Sequence, residues 1–390
     1  MDSTEQARLL ADVEAFCREV RPSEELAYVE HRFNDQAIPL ARKHGLMGMP
    51  IATAYGGRGA DAMTYARALA RIGREGTGVR TLFSGHISIG QLPIVCWGTE
   101  DQKRRILPAT ARGDRICAFA LTEPDAGSNP LELQSTYERR GDRFVLNGVK
   151  YLISNGGIAD VFIAFAYPKD GPRRMSAFVV EASAGGIVRE DLTAKMGMPT
   201  ANTAMFELQD WGVSAENMLG PEGNGFRIAM HTLVAGRLSV AAGCLGVIED
   251  CLTEAVEYAK QRSQHCKPIA KHQLVQQHIA RIEVDRAAAD AIVMKAAEAK
   301  AVSDADPGNA ALAATADMLC AEAKFFASNA AWDAADRAVQ IFGGRGYSEL
   351  YRQARHLQDV RVCRIYEGTD EILQLKSAAA VLGKEFEAFR

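Results

Sequence analysis

Glu367 stands in the run Arg364-Ile365-Tyr366-Glu367-Gly368-Thr369, between an apolar stretch and a helix that starts near Asp370. A carboxylate fixed in a tight turn at such a junction can be kept dry, which raises its pKa and makes it a usable general base. A Glu-Gly pair alone is also what a solvated loop looks like, so the base needs complementary parts elsewhere. Thr122-Glu123-Pro124-Asp125-Ala126-Gly127-Ser128-Asn129 offers hydroxyls and closely spaced backbone N–H groups, with Gly127 letting the backbone approach a ligand. Taken alone, that segment is a Pro-Asp β-turn, and Lys150–Gly157 is a half-buried strand.

The chain that must position these residues has 390 residues, 47% hydrophobic and 24% charged, enough for two or three packed domains. Its 45 basic and 49 acidic residues form no long run of either sign, which argues against a nucleic-acid surface and a polybasic membrane anchor. Met1-Asp2-Ser3-Thr4-Glu5-Gln6 is acidic and polar, unlike a secretory leader, and no stretch reads as the ~20 apolar residues that span a bilayer. Cys17, Cys96, Cys117, Cys244, Cys251, Cys266, Cys320 and Cys363 form no C-x-x-C pair, and no His falls at zinc-ligand spacing from two of them. The expectation is a reduced cytoplasmic protein without a metal, its thiols mostly small core residues.

Texture divides the chain into three. Residues 1–116 read as helical: Ala7–Phe16 and Asp61–Ile72 carry apolar residues at helical spacing, and Thr99-Glu100-Asp101-Gln102 starts a helix with acids in its first turn. Over residues 117–225 the period becomes two. Gly141-Asp142 marks a hairpin and Asn147-Gly148 a second tight turn, and Val161–Ala166, Met175–Val180 and Ala204–Leu208 read as strands. This predicts a small antiparallel barrel or sandwich. Over residues 226–390 long helical patterns return, broken at Asp306-Pro307-Gly308-Asn309, at lengths that suit a four-helix bundle. The fold class is mainly α with a central β-domain.

This order, with Leu121–Asn129 opening the β-domain, then Lys150–Gly156, Arg262–Pro268, Gln340–Gly344 and Ile365–Thr369, resembles the acyl-CoA dehydrogenase family over nearly the whole chain. The resemblance implies FAD. It sets Phe119, Leu121 and Thr122 against the isoalloxazine, and Gly127 and Ser128 at the phosphates, Ser128 also near substrate. Ser154 falls where a flavin-bonding Thr or Ser stands, and Leu152 where many members have an aromatic residue. Thr369 is implied on the cofactor side of the catalytic turn. Arg262 matches an Arg that reaches the FAD pyrophosphate of a neighbouring subunit, and Gln340, Gly343 and Gly344 match its adenosine side. Each FAD is then completed by two chains, and the family norm is a homotetramer. The usual Phe-Gly after that Arg is His265-Cys266 here, with His265 expected as a packing residue.

On the substrate side the resemblance implies Arg237, Tyr366 and Gly368 around Glu367. Gly236 occupies a place where some branches carry the base, so Glu367 is the evident candidate. Val234 replaces an Asp or Asn that often touches the CoA arm. Arg80 and Ser84 fall where glutaryl-CoA dehydrogenases hold a distal carboxylate. A buried Arg is costly without an anion, which suggests an acidic acyl tail; equally open is a salt bridge from Arg80 to Glu75 or Asp125. The implied activity is FAD-dependent α,β-dehydrogenation of a short-chain or dicarboxylic acyl-CoA. Electron-transfer flavoprotein is the family's usual acceptor. The alternatives are a dehydrogenase of acyl groups on a carrier protein, a flavin oxidase or monooxygenase, and a non-catalytic helical binding protein.

Overall fold

Asp2, Asp61 and Thr99 each turn a side-chain oxygen onto the backbone N–H three residues on, and each opens a helix. In the computed structural model, which describes residues 1–386 and Ala388, the N-terminal helices are α1 (Ser3–Val29), α2 (Ala37–Lys43), α3 (Ala62–Gly73), α4 (Thr77–Phe83), α5 (Leu92–Trp97) and α6 (Glu100–Arg112). Between α4 and α5, Ser84–Gln91 winds as a π-helix, a rare form that gathers at functional sites. His86 holds it from inside: the fully buried ring accepts from Cys117 N–H at 2.9 Å through Nδ1, and its Nε2 lies 3.0 Å from Thr110 O.

The strands are β1 (Cys117–Ala120), β2 (Thr136–Arg140), β3 (Arg143–Ser154), β4 (Val161–Pro168), β5 (Ser176–Glu181), β6 (Ile187–Asp191), β7 (Thr203–Ser214) and β8 (Met218–Leu219). They form one sheet in the order β6-β7-β3-β2-β4-β5-β8, with β1 also on β4. Two sequence expectations change here. The sheet is open, not a closed barrel, and β4 runs parallel to both β1 and β2. Closure is unnecessary because the helices cover one face: Ile94, Ile106, Leu107 and Ile228 pack with Val161, Ile163 and Phe165. The other face packs Phe144, Phe162, Phe178, Phe206 and Trp211 together. Buried on both sides, β4 is continuously apolar. Asn147-Gly148 is not a turn either, since β3 passes straight through it with a bulge against β7. Gly148 is required there because a Cβ would stand 2.7 Å from Ser135 Cα.

The C-terminal domain consists of α7 (Gly225–Gln261), the hairpin β9 (Ser263–Gln264) and β10 (Lys267–Pro268), α8 (Gln273–Ala305), α9 (Ala310–Phe342), α10 (Arg352–Val360) and α11 (Asp370–Leu382). The helices α7, α8 and α9 pack on one another as the bundle, and α10 and α11 lie against α9. Contrary to the sequence expectation, α7 is long and apolar enough to cross a bilayer, but 89% of its most apolar stretch is buried inside the protein, so it is a core helix. Buried polar contacts fix α10: Asp250 of α7 meets His356 at 2.8 Å and Arg352 at 2.9 Å, and Asp359 accepts from Tyr28 of α1 at 3.0 Å. The helix that leads into the Glu367 turn is thereby tied to both helical domains.

Candidate active site

After α10 the chain makes a short 3₁₀ turn, Arg361–Arg364, and reaches Glu367 just ahead of α11, whose N-cap is Thr369. Glu367 and Gly368 both take positive φ, 57° and 98°. Left-handed backbone is natural for glycine but costs a non-glycine residue roughly 1 kcal/mol or more, and such strain collects at functional sites. Two cations receive the turn's carbonyls. Arg237 of α7 donates from Nε to Glu367 O at 3.2 Å, and Lys324 of α9 donates from Nζ to Gly368 O at 2.6 Å.

The Glu367 side chain lies over Gly236. A Cβ at that position would stand 2.6 Å from Glu367 Cδ, so the bare α-carbon makes the seat for the carboxylate. Glu367 is half-buried as a residue, but its Oε2 is sealed and has no hydrogen-bond partner among the described residues. Burial raises its pKa to about 7, against the pull of Arg237, Lys324 and Arg80. A buried, unsatisfied carboxylate near neutrality is a proton acceptor in waiting. Gly236→Ala should cost little as helix, since Ala is the better helix former, yet it should lower turnover by roughly 10- to 100-fold by displacing the carboxyl. Wild-type kcat in that variant would contradict the seat.

Arg80 of α4 is 1% exposed and meets no carboxylate among the described residues. The salt-bridge alternative fails for a physical reason: both Glu75 oxygens are taken, by Arg21 at 2.6 Å and by Arg71 at 2.6 Å, while Asp125 is exposed. Arg80 instead donates through Nη2 to Tyr366 Oη, and its Nε has no partner. Tyr366 Oη also lies 3.3 Å from Cys363 Sγ, and the contacts of Cys363 with Cys244 and Arg80 pull its thiol below the usual range. Gly243 clears the space for Arg80, since a Cβ there would stand 2.6 Å from Arg80 Nε. Ser84 is buried and 2.6 Å from Ser239 Oγ, which in turn donates to Gly236 O at 2.7 Å. Because the Ser239 proton is used on that carbonyl, Ser84 donates to Ser239. Of the pair Arg80 and Ser84, Arg80 alone carries a charge and an unpartnered buried donor among the described residues.

The other predicted residues form two groups. Phe119 lies on β1, with Leu121, Thr122, Gly127 and Ser128 in the turn after it. Leu152 and Ser154 lie at the end of β3, and the two segments are joined by Tyr151 N–H to Thr122 O at 2.9 Å. Buried Lys150 bonds Glu123 at 2.7 Å and Phe165 O at 2.7 Å, and Glu123 accepts from Gln134 N–H at 2.6 Å, which stiffens the turn. Gly127 opens onto free space. Leu152 is 53% exposed at φ 56°, an apolar side chain held out over the turn by the β3 bulge. An open glycine, an outward apolar face and hydroxyls at Thr122, Ser128 and Ser154 suit a flat ring system with phosphates attached.

Arg262, Gln340, Gly343 and Gly344 do not join that group. They are exposed and sit together beyond the stacked Tyr258 and Phe342 rings, whose centroids are 4.1 Å apart. Arg262 caps the far end of α7, so at 1.5 Å per residue it lies ~39 Å along the helix from Gly236. His265, expected as a packing residue, is exposed and meets the His272 ring edge-on at 6.2 Å between centroids; with Cys266 it makes the two left-handed positions of the β9–β10 turn.

Sequence reasoning missed Lys324, Ser239 and the purpose of Gly243. Lys324 did leave a signal, a cation set among Ala321, Ala323 and Ala327, all buried positions of α9. Comparison with known proteins gives one answer along the whole chain. Profiles of the acyl-CoA dehydrogenase N-terminal, middle and C-terminal domains match residues 3–114, 118–211 and 223–382. An acyl-CoA dehydrogenase of Bacillus subtilis (strain 168) is 40% identical over 382 residues, covering 97% of this chain and 98% of that one. The butyryl-CoA dehydrogenase structure from Megasphaera elsdenii superposes with TM-score 0.91 at 35% identity, covering 98% of this chain and 100% of that one. A glutaryl-CoA dehydrogenase from Mycobacterium smegmatis in complex with FADH2 superposes at 0.89 and 27% identity, covering 100% and 97%. With three family domains matched end to end and the fold superposing throughout, the chain belongs to the acyl-CoA dehydrogenase family.

Proposed function

We propose that this protein binds FAD against the 119–128 and 152–154 segments and dehydrogenates the α–β bond of a short dicarboxylic acyl thioester, with Glu367 as the α-proton base. The observation that carries the proposal is the Glu367 carboxylate seated over Gly236, with Oε2 sealed and unpartnered among the described residues. FAD, when bound, supplies the acceptor for the β-hydride. Glu367 removes the α-proton, and its backbone N–H is positioned to stabilise the thioester oxygen as negative charge develops. Substrate binding dries the carboxyl further and strengthens it as a base.

The spacing of the two glycine seats favours a short acidic tail. Gly236 and Gly243 are two turns apart on α7, ~10.5 Å at the helical rise. A base-to-carbon contact takes about 3 Å and a guanidinium–carboxylate bond about 3 Å. The remainder, ~4.5 Å, is close to three C–C bonds at 1.52 Å each in zigzag, the distance from the α-carbon to the far carboxyl of a glutaryl group. Buried Val234 offers no polar contact to a CoA arm, so a carrier-protein thioester stands as the second reading. The ~39 Å between Gly236 and Arg262 supports an FAD shared between subunits of a homo-oligomer, a tetramer by family habit, with electron-transfer flavoprotein as the electron acceptor and the cytoplasm as the setting.

Anaerobic mixing with glutaryl, butyryl and branched acyl thioesters, on CoA and on a pantetheinyl carrier, tests this. The yellow protein should bleach fastest with glutaryl-CoA. Bleaching by the carrier-bound acyl group alone would select the second reading, and bleaching by none would overturn dehydrogenation.

A further inference from the structure

The left-handed pair Glu367-Gly368 directs two consecutive carbonyls into the protein, and each meets a cation. The cations are not equivalent. Arg237 is offset by Asp317 at 3.0 Å, which also takes Lys376 at 2.5 Å. Lys324 has no carboxylate within ion-pair distance among the described residues, although its side chain is fully buried. The acid beside the turn, Asp370, gives one oxygen to Arg364 at 2.7 Å and Asn329 at 3.1 Å, and its other oxygen meets no donor among the described residues, Lys324 included. Burying an ammonium without a counter-ion is expensive, and an apolar side chain would fill this place on α9 at lower cost. The single strong contact that Lys324 makes is with Gly368 O, one residue beyond the base, at a length typical of a charge-assisted bond.

We propose that Lys324 is a positioning residue for the base: its Nζ holds the Gly368 carbonyl and thereby keeps the 367–368 turn left-handed, with the Glu367 carboxyl seated on Gly236. The proposal rests on Glu367 acting as the α-proton base. Lys324 reaches no carboxylate among the described residues and acts through the turn. Removing it leaves a buried carbonyl unsatisfied next to a strained residue, so the turn relaxes and the carboxyl leaves its seat.

The FAD-loaded variants Lys324→Met and Lys324→Arg test this. Lys324→Met should retain FAD and change the thioester KM less than ~3-fold while lowering kcat by roughly 10- to 100-fold, the usual effect of a misplaced catalytic group. Lys324→Arg, which keeps a charged donor, should recover kcat to within ~5-fold of wild type. A crystal structure of Lys324→Met should show Glu367 out of positive φ. Wild-type kcat in the Met variant, or an unchanged turn in its structure, overturns the proposal. If the Met variant loses FAD, the Arg variant decides alone: FAD-bound with recovered kcat supports the role, and FAD-bound with kcat down ~100-fold refutes it. If the wild type turns over no acyl thioester, the dehydrogenase proposal fails on its own, and the crystallographic result still decides what Lys324 does.

Discussion

Glu367→Gln is expected to yield a folded, FAD-loaded protein that turns over acyl thioester at least ~100-fold more slowly, the usual worth of a general base. The amide matches the carboxyl in shape and fits the same seat on Gly236, so only proton acceptance is removed. The same substitution should stabilise the protein above neutral pH. The folded-state pKa of Glu367 is about 7, raised from the ordinary 4.5 by burial. Below pH 4.5 both the folded and the unfolded chain hold the proton, and the carboxyl costs nothing relative to an amide. Between 4.5 and 7 the unfolded chain alone ionises, so stability falls as pH rises, and above 7 the whole cost is present. At ~1.4 kcal/mol per pKa unit the cost amounts to roughly 3 kcal/mol. Thermal unfolding should place Glu367→Gln above wild type at pH 8 and level with it near pH 4.5. In wild type, kcat/KM should rise with pH through about 7. A Gln variant with near-wild-type turnover, or with the stability gain at acid pH instead, would contradict the assignment.

Arg80→Gln is expected to change selectivity more than any other single substitution in the pocket. Losing one partner of a buried, hydrogen-bonded charge pair costs about 2–5 kcal/mol. For a glutaryl thioester that corresponds to a loss of roughly 30-fold to a few thousand-fold in kcat/KM. A butyryl thioester makes no such pair and should change only a few-fold, so the preference between the two should invert. Arg80 is suited to this because it is nearly inaccessible, lacks a carboxylate partner and has a free Nε. Kinetics on both thioesters with both proteins check it, and equal preference in wild type and variant would remove the acidic tail from the proposal.

The Glu367 turn was legible in the sequence because its signals are local. Glu367, Gly368 and the capping Thr369 are consecutive, and the caps at Asp61 and Thr99 are likewise short-range signals. What could not be read depended on distant contacts. Nothing near Gly236 or Gly243 reveals that side chains from the catalytic turn and from α4 lodge on them. Glu75 looks like a partner for Arg80 in sequence, but in the fold both its oxygens go to Arg21 of α1 and Arg71 of α3. Asn147-Gly148 has the composition of a tight turn. The close approach of Ser135 makes it a bulge in a continuous strand instead. The barrel expectation failed in the same way, since helical cover of one sheet face is a tertiary property that strand periodicity does not carry.

A crystal structure of the FAD-loaded protein with a non-reactive glutaryl thioester analogue examines the base most directly. If Glu367 takes the α-proton, a carboxyl oxygen should lie ~3–3.5 Å from the α-carbon, on the side opposite the flavin ring. A carboxyl turned away from the thioester, or another acid closer to that carbon, would show that the base is elsewhere.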